Sequence, residues 1–548
     1  MKIIVIGAVA AGTSAAAKAR RNSEDAQITI YEKDSFISYS GCGMPYFLGG
    51  EIANAEELTP RDPAFFLSKY NVEIKIRHEV LALDPASKRV SVKNLITGEA
   101  FWDDYDTLIL ATGARAVTPP IPGRDGAHVF TLRNIGDMLR IKSFLDERKP
   151  ETAAIVGTGF IGLEMCESLS RLGLSVTLLE KLPQVTPGLD DDMAAYVEEH
   201  LINSGIAVLT GVSIAEITED RVLLADGTSV PAQMTLLATG VRPNAELAAA
   251  AGITLGKSGA ILVDARMQTN LPDVYACGDC TEQIHVVTGA QAYRPLGSTA
   301  NKTGRIAGDC ATGGALAYRG TLGTGIFGVL GLSVGQTGLT EREAREAGFD
   351  AVVCHNIKPD KPEYLGGKEM VIKAVADRAT GRLLGAQIVG LAGVDKRIDV
   401  LATAISFRAN AEDLFYLDLA YAPPFATTKD PVHYTGMILE NAIHGARPLM
   451  TAQEALARQS AGEKVTLIDA RAAAQYEKAH ATGAASIPHA SLRTAADALD
   501  KDTLTITYCN KGTTGNAAQN ILINKGFRRV YNLSGGMKQY RIVRKMKH

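Results

Sequence analysis

Apolar positions gather in short runs, each closed by a small residue or a charge. Lys2-Ile3-Ile4-Val5-Ile6 reads as a buried parallel strand, Gly7-Ala8-Val9-Ala10-Ala11-Gly12 as a turn, and Thr13 to Arg21 as an alanine-rich helix. A second strand, Gln27 to Tyr31, ends in Glu32 and Lys33. The pattern repeats at Thr152 to Val156, where Gly157-Thr158-Gly159-Phe160-Ile161-Gly162 follows, and Ser175 to Leu179 ends in Glu180. Two apolar strands end in Ala111-Thr112-Gly113 and Ala238-Thr239-Gly240, as matched exits from two domains. Leu271 to Cys280 supplies a further strand, a tight glycine and an acid, Asp279. Alternating and amphipathic stretches fill 320 to 445, and new strands begin at Val465 and Thr505. No apolar run reaches the roughly 18 residues that span a bilayer.

A strand, a glycine turn and a helix form a dinucleotide site because backbone N–H groups approach a pyrophosphate at the helix N-terminus. An acid closing the second strand then binds a ribose hydroxyl pair. Gly7, Ala11, Gly12 and Glu32 hold those places in the first copy, with Lys33 beside the acid and Val9 where a central glycine is usual. The second copy is complete in Gly157, Gly159, Phe160, Ile161 and Gly162, and Glu180 repels a 2′-phosphate. The expected nicotinamide is therefore NADH, with Lys181 leaving NADPH open. Two such folds on one chain suggest hydride passing from NADH to a flavin, FAD, with Thr112, Gly113 and Asp279 as further flavin contacts.

The fold class expected is α/β. Two Rossmann-like dinucleotide-binding domains are followed by an α+β domain and a C-terminal α/β domain. The flavin domain is expected at 1–115 and 243–320, and the nicotinamide domain, inserted in it, at 116–242. A third domain is expected at 321–445, a linker and entry helix at 446–460 and the last domain at 461–548.

At 548 residues the chain exceeds a single core, and a net charge of −3 provides no long-range attraction for nucleic acid. The one dense basic stretch, Arg541 to Lys547, reads as a solvated helix end. Seven irregularly spaced cysteines make no disulfide framework, so a cytoplasmic chain with no membrane partner is expected. Cys277 and Cys280 match a dithiol spacing, but no second pair or His cluster completes a metal site, and none is expected. Cys42, in Ser38-Tyr39-Ser40-Gly41-Cys42-Gly43-Met44-Pro45-Tyr46, has no second cysteine within a hundred residues. If a flavin sits over the first turn, this thiol must form its disulfide, persulfide or sulfenate with an external partner.

At these residues the chain resembles the single-cysteine flavin disulfide reductases, among them coenzyme A disulfide reductase, NADH oxidase, NADH peroxidase and NADH-dependent persulfide reductase. The resemblance rests on residues 10–21, the Ser-Gly-Cys-Gly-Met-Pro-Tyr stretch around Cys42, Ala111 to Arg115, and Tyr421-Ala422-Pro423-Pro424-Phe425. It implies that Cys42 is the redox thiol and that Ser14, Lys18, Arg21 and Ser38 hold coenzyme A. It also makes 321–445 a dimerisation domain and implies a homodimer in which Tyr421 and Tyr364 reach the partner's thiol site. Gly41 departs from the Asn common in coenzyme A reductases.

Val465 to Arg471, His480 to Pro488 and Thr505 to Cys509 resemble a rhodanese domain in order and spacing. The resemblance makes Cys509 a sulfane-sulfur acceptor whose loop N–H groups stabilise the thiolate. Thr514 stands where many rhodaneses place an arginine, and Lys511 is the nearby candidate cation. The expected activity is NADH-dependent reduction of persulfides, polysulfide or coenzyme A disulfides. A Cys42 sulfenic acid oxidase or peroxidase and a redox-sensing adaptor are the alternatives.

Overall fold

The computed structural model describes residues 1–546, so Lys547, the end of the basic tail, lies outside the described residues. The chain divides into two compact units, one of Met1–Pro183 with Ile206–Gly323, the other of Gln184–Gly205 with the chain from Thr324 onward.

The first unit holds two five-stranded parallel sheets. In one, the strand Lys2–Ile6 lies between Gln27–Glu32 and Thr107–Leu110, with Glu73–Ile76 and Val274–Ala276 at the edges. Strands Lys2–Ile6 and Thr107–Leu110 are buried on both faces, so they read as near-continuous apolar runs. Helix Ala10–Asn22 begins earlier than its alanine pattern suggested and packs closely on helix Gly297–Cys310. Glycine sets that closeness, since a Cβ on Gly304 or Gly308 would lie 2.3 or 2.1 Å from the carbonyl oxygen of Ala11 or Ala15.

The second sheet repeats the arrangement, with Thr152–Val156 between Ser175–Leu179 and Met234–Leu237, and Ala207–Leu209 and Val129–Phe130 outermost. The strands that follow the two Ala-Thr-Gly segments, Ala114–Ala116 and Val241–Pro243, pair antiparallel. The chain thus leaves and re-enters through neighbouring strands.

In the second unit, an antiparallel sheet runs in the order Gly325–Val329, Leu332–Gly338, Leu383–Gly390, Glu369–Asp377 and Ala351–Pro359. Helix Asp191–Asn203, expected with the nicotinamide domain, clusters here. Buried ion pairs hold it: Lys373 meets Asp192 at 2.9 Å and Asp190 at 3.2 Å, and the Asp192 carboxylate also lies 2.7 Å from Nε2 of His355.

A five-stranded parallel sheet closes the chain, in the order Leu449–Met450, Val530–Leu533, Leu504–Tyr508, Val465–Asp469 and Ala484–Ser486. The stretch 446–460, expected as a linker and entry helix, carries an edge strand of this sheet. The entry helix expected here is Ala452–Ser460, capped reciprocally by Thr451 and Glu454. The basic tail is likewise more than a solvated end, because Lys545 of helix Gly536–Lys545 pairs with Glu199 at 2.6 Å.

Candidate active site

The two glycine turns are built alike. Gly7 and Gly157 have φ of +104° and +101°, and a Cβ on either would lie 2.3 or 2.4 Å from a strand-end carbonyl, of Ala111 or Ala238. Gly12 and Gly162 bring the helix onto the turn, where a Cβ would come within 1.8 and 2.2 Å of the carbonyl oxygens of Gly7 and Gly157. Ala11 is buried beside Gly12.

Each turn is tied to the acid that closes its second strand. The N–H of Ala8 donates to Glu32 at 2.8 Å, and the N–H and hydroxyl of Thr158 donate to Glu180 at 3.0 and 2.7 Å. Burial pushes the Glu32 carboxyl above its ordinary value, against the hydrogen bonds from Asp34 and Ala8. Lys33 beside it is exposed. At Gly159 a Cβ would meet nothing within 4 Å, so the start of helix Phe160–Arg171, with Ile161 second, has the open approach that a pyrophosphate needs.

Asp279 lies in the turn Gly278–Cys280, where Gly278 has φ of +79° and donates its N–H to Thr303 at 3.0 Å. Arg133 donates to the Asp279 carboxylate at 2.9 Å. Thr112 and Gly113, the latter at φ +66°, face Asn244, whose carbonyl accepts from the Thr112 hydroxyl at 2.6 Å. Cys277 and Cys280 are free, buried thiols, and burial pushes both above the ordinary thiol value. Among the described residues no cluster of three or more His, Cys, Asp or Glu is placed to hold a metal ion.

Cys42 sits in the single turn Gly41–Gly43 that enters helix Met44–Leu48, and it is exposed. Gly43 admits the turn, since a Cβ there would lie 2.3 Å from Leu58. The short helix docks on helix Phe160–Arg171 through the Ser168 hydroxyl, which donates to the Pro45 carbonyl at 2.8 Å, and through an ion pair of Glu51 with Arg171. That docking delivers Glu164 to the thiol, a meeting that no local pattern reveals. Although solvent reaches the thiol, the surrounding protein raises its pKa above the ordinary value, chiefly by desolvation. Glu164 and Asp279 add to the rise, and Arg133 opposes it. Glu164 is itself pushed up to about 7 by burial, against a hydrogen bond from Tyr46.

A cleft of about 500 Å³ lies beside this turn, lined by Ser14, Arg21, Ser38, Tyr39, Ser40 and Tyr70 among others. Two cations not singled out from the sequence, Arg61 and Arg305, line it as well. Arg305 stands one turn after Asn301, which accepts from the Ser14 hydroxyl at 2.8 Å, so only helix packing brings it to the cleft. Ser38 holds φ of +47°. Lys18 stands apart from the lining residues, paired with Asp309 at 3.0 Å.

In the second unit, Cys509 ends strand Leu504–Tyr508 and is 6% exposed. Its carbonyl accepts from the N–H of Met537 at 2.7 Å, and Gly536 is needed there because a Cβ would lie 2.3 Å from that oxygen. Gly512, at φ +98°, caps helix Thr513–Asn524, and Thr514 points to no arginine-like role from its exposed position. Lys511, the sequence's candidate cation, is ion-paired with Glu369, as is Lys538. Tyr364 and Tyr421 are 77% and 48% exposed.

The profile of the pyridine nucleotide-disulphide oxidoreductases matches residues 1–293. The chain belongs to that family. Residues 326–431 match the family's dimerisation domain, and 451–542 match a rhodanese-like domain. This pyridine nucleotide-disulphide oxidoreductase is 36% identical over 443 residues to the NAD(P)H sulfur oxidoreductase (CoA-dependent) of Pyrococcus furiosus, covering 80% of this chain and 99% of that one. Its fold is similar to the crystal structure of reduced CoADR-RHD from Bacillus anthracis, with a TM-score of 0.96, 36% identity, and 99% and 98% of the two chains covered. It is similar also to a NAD-dependent persulfide reductase from A. fulgidus, with a TM-score of 0.90, 35% identity, and 98% and 100% covered. The oxidoreductase is therefore an α/β enzyme carrying an appended rhodanese-like domain.

Proposed function

We propose that this enzyme uses NADH to reduce persulfides, polysulfide or coenzyme A disulfides at Cys42. The observation that carries the reading is an exposed thiol on a turn next to both a dinucleotide fold and a cleft containing Arg21, Arg61 and Arg305. Three guanidinium groups suit a substrate with a phosphorylated handle and a sulfur tip. The CoA-dependence in the name of the Pyrococcus relative and the persulfide reductase among the similar structures support the same substrate class.

The first turn, with Gly7, Gly12, Glu32, Thr112, Gly113 and Asp279, would hold FAD, and the second, with Gly157, Gly159, Gly162 and Glu180, would hold NADH. Together these groups supply a two-electron path from nicotinamide to sulfur. The protein's own residues do the rest. The Cys42 thiolate attacks the substrate's disulfide or sulfane sulfur, and a thiol or thiolate leaves. Arg133 favours that thiolate, whereas Glu164 and Asp279 oppose it. Protonated Glu164 is near enough in pKa to neutral pH to hold a proton for the leaving sulfur. Ser14, Arg21 and Ser38 line the cleft for coenzyme A, whereas Lys18 is turned to Asp309 and is left out of this role.

In the same reading Cys509 collects sulfane sulfur and presents it to the reductase chemistry. The chain pairs as a homodimer through the segment that contains Tyr364, Phe407, Tyr416, Tyr421 and Phe425, all of them exposed in the single chain. Seven free thiols fit a reducing, cytoplasmic compartment. In this reading the chain divides into flavin, nicotinamide, dimerisation and rhodanese-like domains, with 449–460 in the last of them and helix Asp191–Asn203 clustering in the second unit.

Anaerobic NADH consumption compared across coenzyme A persulfide, coenzyme A disulfide and peroxide tests the substrate class. The sulfur substrates should be turned over fastest. Faster consumption with oxygen or peroxide than with any of them would overturn the reading in favour of sulfenic acid chemistry.

A further inference from the structure

Thr514 leaves the Cys509 loop without the usual arginine, and Lys511 is drawn to Glu369, a single carboxylate that it shares with Lys538. Another ammonium reaches the loop from outside the rhodanese-like segment. Lys358, near the end of strand Ala351–Pro359, donates to the hydroxyl of Thr513 at 3.3 Å. Thr513 is the first residue of the helix that leaves the Cys509 loop. The Lys358 Nζ also lies 4.1 Å from the ring centre of Tyr434, and Lys429 shares that ring at 5.5 Å. Tyr434 thus holds two ammonium groups by cation–π attraction beside the loop. Among the described residues Lys358 makes no ion pair with a carboxylate, in contrast to Lys511 and Lys538.

The electrostatics agree. Burial and the nearby Lys511 push Lys358 below the ordinary lysine value, a Cys509 thiolate raises it, and Lys429 lowers it further. The ammonium and the sulfur therefore act on each other through protein of lowered dielectric. A half-buried cation flanked by other cations and free of a carboxylate is placed to receive an anion.

We propose that Lys358, assisted by Lys429, is the counter-cation of the Cys509 site and makes it select anionic sulfane-sulfur donors. The inference rests on the reading of Cys509 as the sulfur acceptor. In the transfer step the Cys509 thiolate attacks the outer sulfur of the donor and forms a new S–S bond. The donor's own S–S bond breaks, and the leaving group departs with that electron pair, as sulfite does from thiosulfate. The product is a Cys509 persulfide anion, charge is conserved, and no oxidant is needed. Lys358 is a positioning residue, offsetting the repulsion between an anionic donor and an anionic thiolate. A segment matched as part of the dimerisation domain therefore completes a site in the rhodanese-like one.

The test uses the full-length holoenzyme and reads alkylation at the Cys509 peptide by mass spectrometry, with iodoacetate and iodoacetamide in parallel. The ratio of the two rates cancels thiol reactivity and reports local charge. Lys358→Met should lower the iodoacetate-to-iodoacetamide ratio about fivefold, and Lys358→Arg should keep it within about twofold, as expected for one nearby charge at an effective dielectric near that of a protein surface. In a thiosulfate–cyanide assay, Lys358→Met should raise KM for thiosulfate about tenfold with kcat changed less than about twofold, the pattern of lost binding. Should Lys358→Met fail to fold, Lys429→Met gives the same readouts with a smaller fall. An unchanged alkylation ratio in a folded Lys358→Met variant would overturn the role of Lys358, even where Cys509→Ser abolishes thiocyanate formation. Thiocyanate formation that survives Cys509→Ser would instead overturn the assignment of Cys509, and this inference with it.

Discussion

At Cys42 one thiol is held between opposing charges, and the balance is readable in named groups. Burial raises it, Glu164 and Asp279 raise it further, and only Arg133 favours the thiolate. Glu164, with a pKa near 7, loses its proton within the working range, so its carboxylate opposes the thiolate above that pH and not below. Replacing Glu164 by Gln removes a negative charge, and the pH at which Cys42 is half-alkylated by iodoacetamide should fall. A rise, or no movement, would show that Glu164 does not face the thiol. Cys42 itself was legible from its isolation and its glycine neighbours. Glu164 was not, because its position depends on the docking of Pro45 onto Ser168, 123 residues away in the chain. Arg61 and Arg305 escaped for the same reason, whereas Lys18, prominent on its helix, is turned to Asp309.

At the scale of elements, the strand-turn-helix units decide where cofactors go, and they were legible because their glycines are demanded by backbone proximity. Gly162→Ala would put a Cβ 2.2 Å from the Gly157 carbonyl, a contact only a shifted turn can relieve. KM for NADH should rise about tenfold, because strain of this kind costs about 1–3 kcal/mol, while flavin absorbance is retained. Loss of flavin with NADH binding intact would contradict the assignment of the two turns. The mirrored variant, Gly12→Ala, meets the Gly7 carbonyl at 1.8 Å and should lose flavin first. Less legible was the strand within 446–460, a stretch whose proline and small residues look like a linker and entry helix. Its helix is revealed by the Thr451–Glu454 capping pair, and its strand Leu449–Met450 only by pairing with Asn532 and Leu533. The Cys509 loop was found by its strand and glycine, but its charge lies on another element, where no local pattern leads.

Across the whole molecule, two compact units divide the chemistry, with Cys42 in the first and Cys509 in the second. The second is held at its centre by Lys373, whose ammonium meets Asp190, Asp192 and Glu341 and is held well above its ordinary value by them despite burial. Burial opposes ionisation of Asp192, but Lys373 and His355 outweigh it and hold that carboxyl below the ordinary range. Its stabilisation is therefore present above the usual carboxylate pKa and lost as pH falls through and below it. Asp192→Asn should destabilise the unit by about 3 kcal/mol in urea unfolding, the cost of leaving a buried cation short of a partner. An unchanged midpoint would contradict that account. The division of labour between the two thiols makes one experiment most direct. Anaerobic reduction of coenzyme A persulfide by NADH, followed as hydrosulfide release in the wild type and in Cys42→Ser with its flavin bound, tests the central claim. The variant should lose at least about a thousandfold in rate, as expected when a nucleophile is removed. Full hydrosulfide release from Cys42→Ser would contradict it.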